Sequence, residues 1–388
     1  MAKAKDALIE SSRPRNGDRF SNLGEIIGAA KKKYKSPLVR GVSGRVVPRI
    51  RTGVFGIDYH SFGGLPIGRI SMVFGEKSTG KTTFYMRALA NAQRICAGCY
   101  RPAKLVDGVI SMPSFPSGRM KDVETKVVEC DCGNPRDFMA VWIDSEGAFD
   151  ADWAKRFGVL TEKIYFCRPE YGEQGYDIAY ALVNSGEVDL CVVDSIAQMT
   201  PIDELDASIE KQHQAIGARM NNKFMRKIVS ALNRGWINNR EISVWLVNQY
   251  RMAIGVMYGD PRVLTGGKGQ GFVTSLEIEM SSGKPNVSDD GDVLSTLFKW
   301  KIKKGRICPS GTSGEFEMLQ DKNHLGEINE IEQVLKLSID AGLIEKPNMR
   351  TYVFNGETYS GKDELLTYLK TNNDSFEALK EDILDCRL

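Results

Sequence analysis

The segment GEKSTGKT, residues 75–82, has the residue types and the spacing of a loop that binds phosphate groups. It fits the pattern G-x-x-x-x-G-K-[ST], follows an apolar run typical of a strand and precedes a helical pattern. Glycines allow the backbone to wrap around a phosphate, while successive N–H groups and the helix N-terminus form a positive cradle. The sequence therefore predicts that a nucleotide binds this phosphate loop and its flanking residue through Gly75, Glu76, Lys77, Ser78, Thr79, Gly80, Lys81, Thr82 and Thr83.

Four side chains in or near the phosphate loop are suited to phosphoryl chemistry. Lys81 is expected to reach the β- and γ-phosphates, and the hydroxyl of Thr82 is expected to bind Mg²⁺. Asp194 ends the apolar run VDLCVVD, where a carboxylate completes a Mg²⁺ shell, although such a residue elsewhere is more often a helix cap. Glu146 follows the run MAVWID, where it either orients an attacking water or is only a surface charge.

Four of the eight cysteines form two close pairs, C-A-G-C at 96–99 and C-D-C at 130–132. Four thiols are a tetrahedral zinc set in a reducing compartment. The sequence therefore predicts a Zn²⁺ site at Cys96, Cys99, Cys130 and Cys132, the alternative being two unrelated thiol pairs on a mobile loop. The other four lack partner spacing and are interpreted as packing or incidental thiols: Cys167, Cys191, Cys308 and Cys386.

The elements that must position these groups alternate between strands and helices. Short, β-branched or aromatic runs typical of buried parallel strands are RISMVFG (69–75), MAVWID (139–144), VDLCVVD (188–194) and ISVWLVN (242–248). Helical stretches separate them, so we expect an α/β fold with a mostly parallel sheet covered on both faces. Residues 95–137, rich in Pro, Gly and Ser, interrupt this rhythm and are interpreted as an insertion.

Charge is polarised along the 388 residues, although the net charge is only +2. Met1 to Arg51 holds 13 Lys/Arg and 4 Asp/Glu, whereas residues 321–388 hold 8 Lys/Arg and 14 Asp/Glu. We expect a basic N-terminal arm over residues 1–50 with a helix over 22–35, an ATPase-type core over 51–320, and a small α+β domain over 321–388. The arm either contacts phosphate backbones or an acidic neighbouring subunit, or is a solvated terminus.

Composition excludes several classes of protein. With 42% hydrophobic and 26% charged residues the chain is neither disordered nor collagen-like. No run of 18 apolar residues is present, which excludes a membrane-spanning helix, and the first residues lack the features of a secretory signal. We therefore expect a cytoplasmic location with reduced cysteines and no membrane partner.

Six longer stretches give the chain a resemblance to a known family. They are GGLPIGRI (63–70), GEKSTGKTT (75–83), IDSEGAFD (143–150), YGEQGYDIAYALVNSGEVDLCVVDSIAQMTP (171–201), NQYRMAIGVMYGDP (248–261) and TGG (265–267). In this order they resemble the RecA family of DNA recombinases, most closely its bacterial branch. The resemblance implies a RecA-like P-loop NTPase core in a homo-oligomeric helical filament. It also implies an Mg²⁺-dependent ATPase on single-stranded DNA that pairs and exchanges strands with a homologous duplex during recombination and repair.

The resemblance also assigns roles around the nucleotide. Glu146 matches the catalytic glutamate, and Gln249 matches the residue that senses the γ-phosphate. Asp150 and Trp153 match positions that contact adenine, where Trp153 replaces a tyrosine of the bacterial proteins. Two basic residues that reach the nucleotide from the neighbouring subunit correspond to Lys304 and Arg306, with Lys303 as an alternative because the local alignment needs a one-residue adjustment.

The resemblance also implies that two loops, numbered in chain order, hold DNA. The second loop, residues 250–271, combines cations, an apolar wedge and glycines, which suits contact with phosphates and bases without reading their sequence. Its candidate contacts are Arg251, Met252, Ile254, Gly266, Gly267 and Lys268. The first loop, about residues 204–214, precedes a helix that presents Arg219, Asn222 and Arg226 on one face, although such a face is more often simply solvated.

The preferred hypothesis is thus a DNA-dependent ATPase and strand-exchange recombinase. A ring-forming helicase with the same core is one alternative, and a recombination mediator or paralogue with weak ATPase activity is another. The helicase alternative is disfavoured by the NQYRMAIGVMYGDP segment and the C-terminal region. The mediator alternative is disfavoured by Glu146, Gln249 and the basic pair Lys304 and Arg306.

Overall fold

The structure is a computed structural model that describes residues 19–34, 47–114, 117–208, 216–252, 259–321 and 323–386. The chain divides into two compact units, residues 1–47 and residues 48–388. In the first unit, helix α1 (Arg19–Tyr34) confirms the helix predicted over residues 22–35. Its last turn carries Lys31, Lys32 and Lys33, whose charges favour the negative end of the helix dipole.

The second unit contains all of the strands found among the described residues. In chain order these are β1 (Arg49–Ile50), β2 (Leu65–Pro66), β3 (Ile70–Gly75), β4 (Lys104–Pro113), β5 (Met120–Glu129), β6 (Ala140–Asp144), β7 (Ile164–Cys167), β8 (Leu190–Asp194), β9 (Ser243–Met252), β10 (Arg262–Leu264), β11 (Leu276–Val287), β12 (Val293–Gly305), β13 (Ser313–Leu319), β14 (Ile328–Asn329), β15 (Glu345–Asn348), β16 (Thr351–Phe354) and β17 (Glu357–Ser360).

The helices of this unit lie between the strands. They are α2 (Phe55–His60), α3 (Lys81–Ala92), α4 (Ala151–Arg156), α5 (Gly172–Ser185), α6 (Ile202–Leu205), α7 (Ile216–Ile237), α8 (Gly269–Val273), α9 (Ile331–Asp340), α10 (Lys362–Thr371) and α11 (Asn373–Asp385). Within the described part of the chain, no helix is long and apolar enough to cross a bilayer.

A mostly parallel sheet organises the core. Its order is β14-β13-β12-β11-β3-β9-β8-β6-β7, and β10 pairs with β9 beside this path. The neighbours from β11 to β7 run parallel, whereas β12, β13 and β14 extend the sheet antiparallel. Gly75 lies opposite Gln249, and Asp144 lies opposite Asp194. The carboxyl ends of four parallel strands therefore meet at one edge, where open α/β sheets bind ligands.

Apolar side chains cover both faces of this sheet. Trp142 and Trp245 belong to the cluster on one face, while Ile143 and Leu246, their neighbours in sequence, belong to the cluster on the other. Because successive side chains of a strand point to opposite faces, a strand buried on both must be continuously apolar. This explains the four runs detected in the sequence and confirms the predicted α/β fold class.

The predicted insertion folds as a long antiparallel hairpin of β4 and β5, which pair with each other from Lys104–Glu129 to Pro113–Met120. An isolated bridge between Ile95 and Pro102 closes one side of its base. These two strands, called the hairpin arm below, form a sheet of their own. The insertion was predicted from the sequence, but its strands were not.

The C-terminal region has its own three-stranded sheet, β15-β16-β17, with helices α9, α10 and α11. Its apolar cluster also takes in Phe55 of α2. The mixture of helices and antiparallel strands is the α+β structure expected for this segment. The predicted boundaries at residues 50 and 320 stay predictions.

Candidate active site

The phosphate loop connects the end of β3 to the start of α3, as predicted. Two of its residues have positive φ, Ser78 at 57° and Gly80 at 76°. A Cβ atom at position 75 would lie 2.0 Å from the backbone oxygen of Met280, so only glycine fits there. The loop borders a cavity of about 660 Å³, which Ser145, Glu146, Gln198, Val247 and Gln249 also line.

The Lys81 side chain is folded back over the phosphate loop. Its ammonium group donates hydrogen bonds to the backbone oxygen of Glu76 and, at 3.3 Å, to the hydroxyl of Thr79. Burial lowers the pKa of Lys81, while the carboxylates of Glu146 and Asp194 act in the opposite direction. The cation is thus held at the cavity by neutral oxygen atoms that a phosphate can replace.

Thr82 and Asp194 meet as the sequence predicted for a Mg²⁺ pair. The Thr82 hydroxyl donates to Asp194 Oδ2 at 2.8 Å, and Asp194 Oδ1 is buried with no hydrogen-bond partner among the described residues. Burial raises the pKa of Asp194 to about 7, although the hydrogen bond from Thr82 lowers it. An unpaired buried carboxylate oxygen is costly unless a ligand satisfies it. The donor set, a hydroxyl and a carboxylate, fits Mg²⁺.

Glu146 accepts hydrogen bonds from the side chains of Ser195 and Gln249. Ser145 fixes the adjacent backbone at Ser195. Its hydroxyl donates to the carbonyl of Ser195 at 2.8 Å and accepts from the amide of Ser195 at 3.0 Å. The two serines were missed by the sequence analysis. The sequence did contain a signal for these two serines, because each directly follows an aspartate that ends a strand. Those aspartates are Asp144 and Asp194.

Asp144 holds the turn that carries Glu146. Its carboxylate accepts hydrogen bonds from the backbone amides of Ala148 at 3.1 Å and Phe149 at 3.3 Å. Arg168, which follows β7, donates to the same carboxylate at 3.2 Å. The general-base candidate therefore lies on a fixed turn rather than on a free loop.

The two expected adenine contacts lie at the start of α4. Asp150 caps this helix, accepting a hydrogen bond from the Trp153 amide at 2.7 Å. The Trp153 indole nitrogen donates to the Thr83 hydroxyl at 3.4 Å, and its ring meets Phe157 edge to face. The structure thus brings Trp153 to the helix that follows the phosphate loop and gives Asp150 a capping contact. Their contact with adenine stays a prediction.

The second loop is more regular than expected at both ends. Strand β9 continues through Arg251 to Met252, which pairs with Arg262 of β10, because the residues after Gln249 keep a strand-forming character. The Thr265 hydroxyl donates to the Gln249 carbonyl at 3.1 Å, and Arg251 donates to the Gln249 side chain at 3.2 Å. Met252 is 67% exposed. Ile254 lies outside the described residues, as does the part of the first loop over residues 209–215.

Helix α7 holds the glycines of the second loop. Asn221 donates to the Gly266 carbonyl at 2.7 Å, and a Cβ atom at position 269 would lie 1.8 Å from Asn222 Oδ1. Gly266 and Gly267 both have φ near +80°. Asn222, Gly266 and Gly267 therefore come together as expected. The buried residue Asn221, which was not predicted from the sequence, lies with them. The remaining predicted DNA contacts of this region have exposed side chains: Arg219, Arg226 and Lys268.

Lys304 and Arg306 lie at the end of β12, beside the end of the short helix α8. Lys304 donates to the Thr274 carbonyl at 2.7 Å, and Arg306 donates to the Phe272 carbonyl. Neither is among the described residues that line the nucleotide cavity. The structure brings them together with each other and with the end of the second loop, but not with the phosphate loop of the same chain.

The four paired cysteines come together, as the sequence predicted. Their sulfur atoms all lie within 4.8 Å of one another at the base of the hairpin arm. Burial raises the pKa of the Cys99 thiol, but hydrogen bonds from the backbone and side chain of Arg101 and from the neighbouring thiols lower it to about 7. This cluster is separate from the residues that line the nucleotide cavity.

Comparison with known proteins identifies the family of the chain. The family described as "RecA N-terminal domain" matches residues 122–323. A curated "Protein RecA 1" of Myxococcus xanthus is 30% identical over 371 residues, which cover 94% of this chain and 94% of that protein. A "Protein RecA" of Teredinibacter turnerae is 29% identical over 337 residues, covering 86% of this chain and 83% of that protein. The chain belongs to the RecA family.

Proposed function

We propose that the protein is a DNA-dependent ATPase that forms filaments on single-stranded DNA and catalyses homologous pairing and strand exchange. The observation that carries the proposal is the position of Gln249. Its side chain contacts Glu146 at the cavity and Arg251 in the second loop, and its carbonyl accepts from Thr265. One residue thus touches both the hydrolytic carboxylate and the segment proposed to hold DNA, so nucleotide state and loop order are physically linked.

The proposed hydrolysis uses groups that line the cavity or lie on the elements beside it. The amides of the phosphate loop and Lys81 bind the β- and γ-phosphates. Glu146 orients a water and accepts its proton as the water oxygen bonds to the γ-phosphorus and the bond from that phosphorus to the bridging oxygen of ADP breaks. Thr82 and Asp194 hold Mg²⁺, which when bound offsets the phosphate charge. Trp153 and Asp150 contact the adenine. The products are ADP and phosphate.

The proposed active site is completed by a neighbouring subunit. Lys304 and Arg306 are cations on a short, partly exposed segment away from the cavity of their own chain. In a head-to-tail assembly the same patch of each subunit faces the next subunit's cavity. There the two cations stabilise the charge that develops on the transferred phosphate, in the manner of an arginine finger.

The proposed DNA contacts are of two kinds. Arg251, Lys268 and the backbone amides near Gly266 and Gly267 bind phosphates. The exposed side chain of Met252, with Ile254, separates stacked bases. Arg219, Asn222 and Arg226 of α7 add contacts from the adjacent helix. Because none of these groups reads base edges in a fixed pattern, binding is independent of sequence, as pairing of arbitrary homologous strands requires.

Two measurements on the purified chain test the proposal. Electron microscopy with single-stranded DNA and a slowly hydrolysed ATP analogue should show helical filaments, and a strand-exchange assay with a homologous duplex should give joint molecules. Closed hexamers alone would contradict the proposal in favour of a helicase. ATP binding without homologous pairing would contradict it in favour of a mediator.

A further inference from the structure

We propose that one Zn²⁺ ion binds Cys96, Cys99, Cys130 and Cys132 and fastens the base of the hairpin arm to the ATPase core. The cysteines lie on two turns, one where the chain leaves α3 and one where it returns toward β6. The site is far in sequence from the segments proposed to hold DNA, and none of the four cysteines is among the described residues that line the nucleotide cavity. It is a structural metal site that neither the family assignment nor the proposed catalysis requires.

The sulfur positions fit a tetrahedral thiolate site. Cys96 Sγ lies 3.6 Å from Cys132 Sγ, and Cys99 Sγ lies 3.7 Å from Cys130 Sγ. Zinc–sulfur bonds of about 2.3 Å at the tetrahedral angle place the sulfurs about 3.8 Å apart. A disulfide requires a separation of about 2.05 Å. The four atoms are therefore spaced for a shared metal ion.

Backbone amides are directed at three of the four sulfur atoms. The amides of Gly98, Cys99 and Arg136 hydrogen-bond to the sulfur of Cys96. The amide and side chain of Arg101 hydrogen-bond to the sulfur of Cys99, and the amide of Cys132 hydrogen-bonds to that of Cys130. Such donors orient the sulfur atoms as ligands. Two unrelated pairs of thiols on a loop would not require such hydrogen-bond donors.

Charge at the site also fits. Four thiolates and one Zn²⁺ carry a net charge of about −2, which nearby cations stabilise. Arg101 contacts Cys99, and Arg136 donates from its side chain to the carbonyl of Ala97 at 3.0 Å. Both cations therefore border the ligand turns.

The two turns are packed backbone against backbone. A Cβ atom at position 98 would lie 1.9 Å from the carbonyl oxygen of Asn134, so glycine is required where the turns touch. Arg136 then links this base to the core through an ion pair with Asp189 at 3.0 Å, at the start of β8. A metal ion at this point closes the loop that contains the whole hairpin arm, which limits movement of the arm relative to β6 and β8.

Metal analysis of the full-length protein, purified without added metal, tests the site. We expect about one equivalent of zinc per chain, because a Cys₄ site binds zinc tightly enough to retain it during purification. The zinc should be released in proportion to the thiols that react with an added organomercurial. Cobalt exchanged into the site should give the visible absorption of tetrahedral cobalt thiolate. The Cys99→Ser variant should lose this spectrum, whereas Cys386→Ser, at an exposed cysteine outside the cluster, should keep it.

Limited proteolysis tests whether the bound metal restrains the hairpin arm, which is a separate question from whether zinc is present. Chelation should raise cleavage within residues 95–137 several-fold without altering nucleotide binding. Less than about half an equivalent of zinc together with four free thiols would overturn the proposal. Mass spectrometry that finds two disulfides among the four cysteines would overturn it as well. Metal measurements on the wild-type chain decide the matter even where a cysteine variant fails to fold.

Discussion

The ammonium group of Lys81 is held at the nucleotide cavity by the carbonyl of Glu76 and the hydroxyl of Thr79. Replacing it with alanine, Lys81→Ala, removes the cation that opposes the phosphate charge. We expect DNA-stimulated phosphate release to fall at least about 100-fold, the usual size of such a loss. The control Lys155→Ala removes an exposed lysine of α4 and should retain turnover. Normal turnover by Lys81→Ala would refute the phosphate-loop assignment.

Asp58 is a buried carboxyl group whose ionisation affects stability rather than catalysis. It accepts hydrogen bonds from the amide and the hydroxyl of Thr52 at 2.8 and 2.7 Å. Burial nevertheless raises its pKa to about 6 from 3.8, against the effect of those bonds. Because the folded state holds the proton more tightly than the unfolded state, the free energy of unfolding falls as pH rises from about 4 to 6.

The Asp58→Asn variant isolates this effect, because asparagine keeps the carbonyl acceptor but does not titrate. Between pH 5 and pH 7 the wild type should lose about 1 kcal/mol of unfolding free energy more than the variant does. Chemical denaturation at several pH values measures the difference. Parallel pH profiles of the two proteins would show that Asp58 does not titrate in this range.

Among the larger elements, the parts built on the parallel sheet were predictable from sequence. A strand buried on both faces must be continuously apolar, and the phosphate loop has a fixed residue pattern, so β3, β6, β8 and Asp194 were all located correctly. The hairpin arm was not predicted, because the interpretation of residues 95–137 relied on their Pro, Gly and Ser content. A strand signal was nevertheless present, since Val123, Thr125 and Val127 alternate with charged residues as in a half-exposed strand. The roles of Ser145 and Asn221 depend on partners 50 and 45 residues away, which no local pattern reveals.

The glycine turn at the end of the second loop depends on its packing against α7. Gly266 has a φ of 82°, and a Cβ atom there would lie 2.7 Å from Asn221 Nδ2 and 2.8 Å from Ile196 Cγ2. The Gly266→Ala variant must shift this turn, because both the backbone conformation and the contact are unfavourable. We expect affinity for single-stranded DNA to fall about tenfold, equivalent to about 1.4 kcal/mol, with nucleotide binding unchanged.

Fluorescence anisotropy of labelled single-stranded DNA measures this change in the presence of an ATP analogue. The matched control is Gly356→Ala, at a φ of 79° in the turn between β16 and β17, where no atom lies within 4 Å of the added Cβ. It carries a similar backbone strain but is remote from α7 in the chain. Equal DNA affinities for the two variants would show that the packing of Gly266 on α7 does not matter for DNA.

Across the molecule, the cation pair Lys304 and Arg306 lies apart from the cavity of its own chain, which Glu146 lines. Lys304 and Arg306 cap carbonyls beside α8, whereas Glu146 and Asp194 line or border the cavity at the carboxyl ends of β6 and β8. A head-to-tail assembly brings unlike patches of successive subunits together, as a ring where the rotation closes and as an open filament where it does not.

Mixing two inactive variants tests whether the active site is shared between subunits. Glu146→Gln lacks the carboxylate that orients water, and the double variant Lys304→Ala/Arg306→Ala lacks the cations, so each alone should hydrolyse ATP poorly on DNA. In a random equal mixture about one quarter of the interfaces pair an intact Glu146 with an intact cation pair from the neighbour. DNA-dependent phosphate release should therefore recover to about one quarter of the wild-type rate. If both groups served the cavity of their own chain, no interface would be intact and mixing would restore nothing.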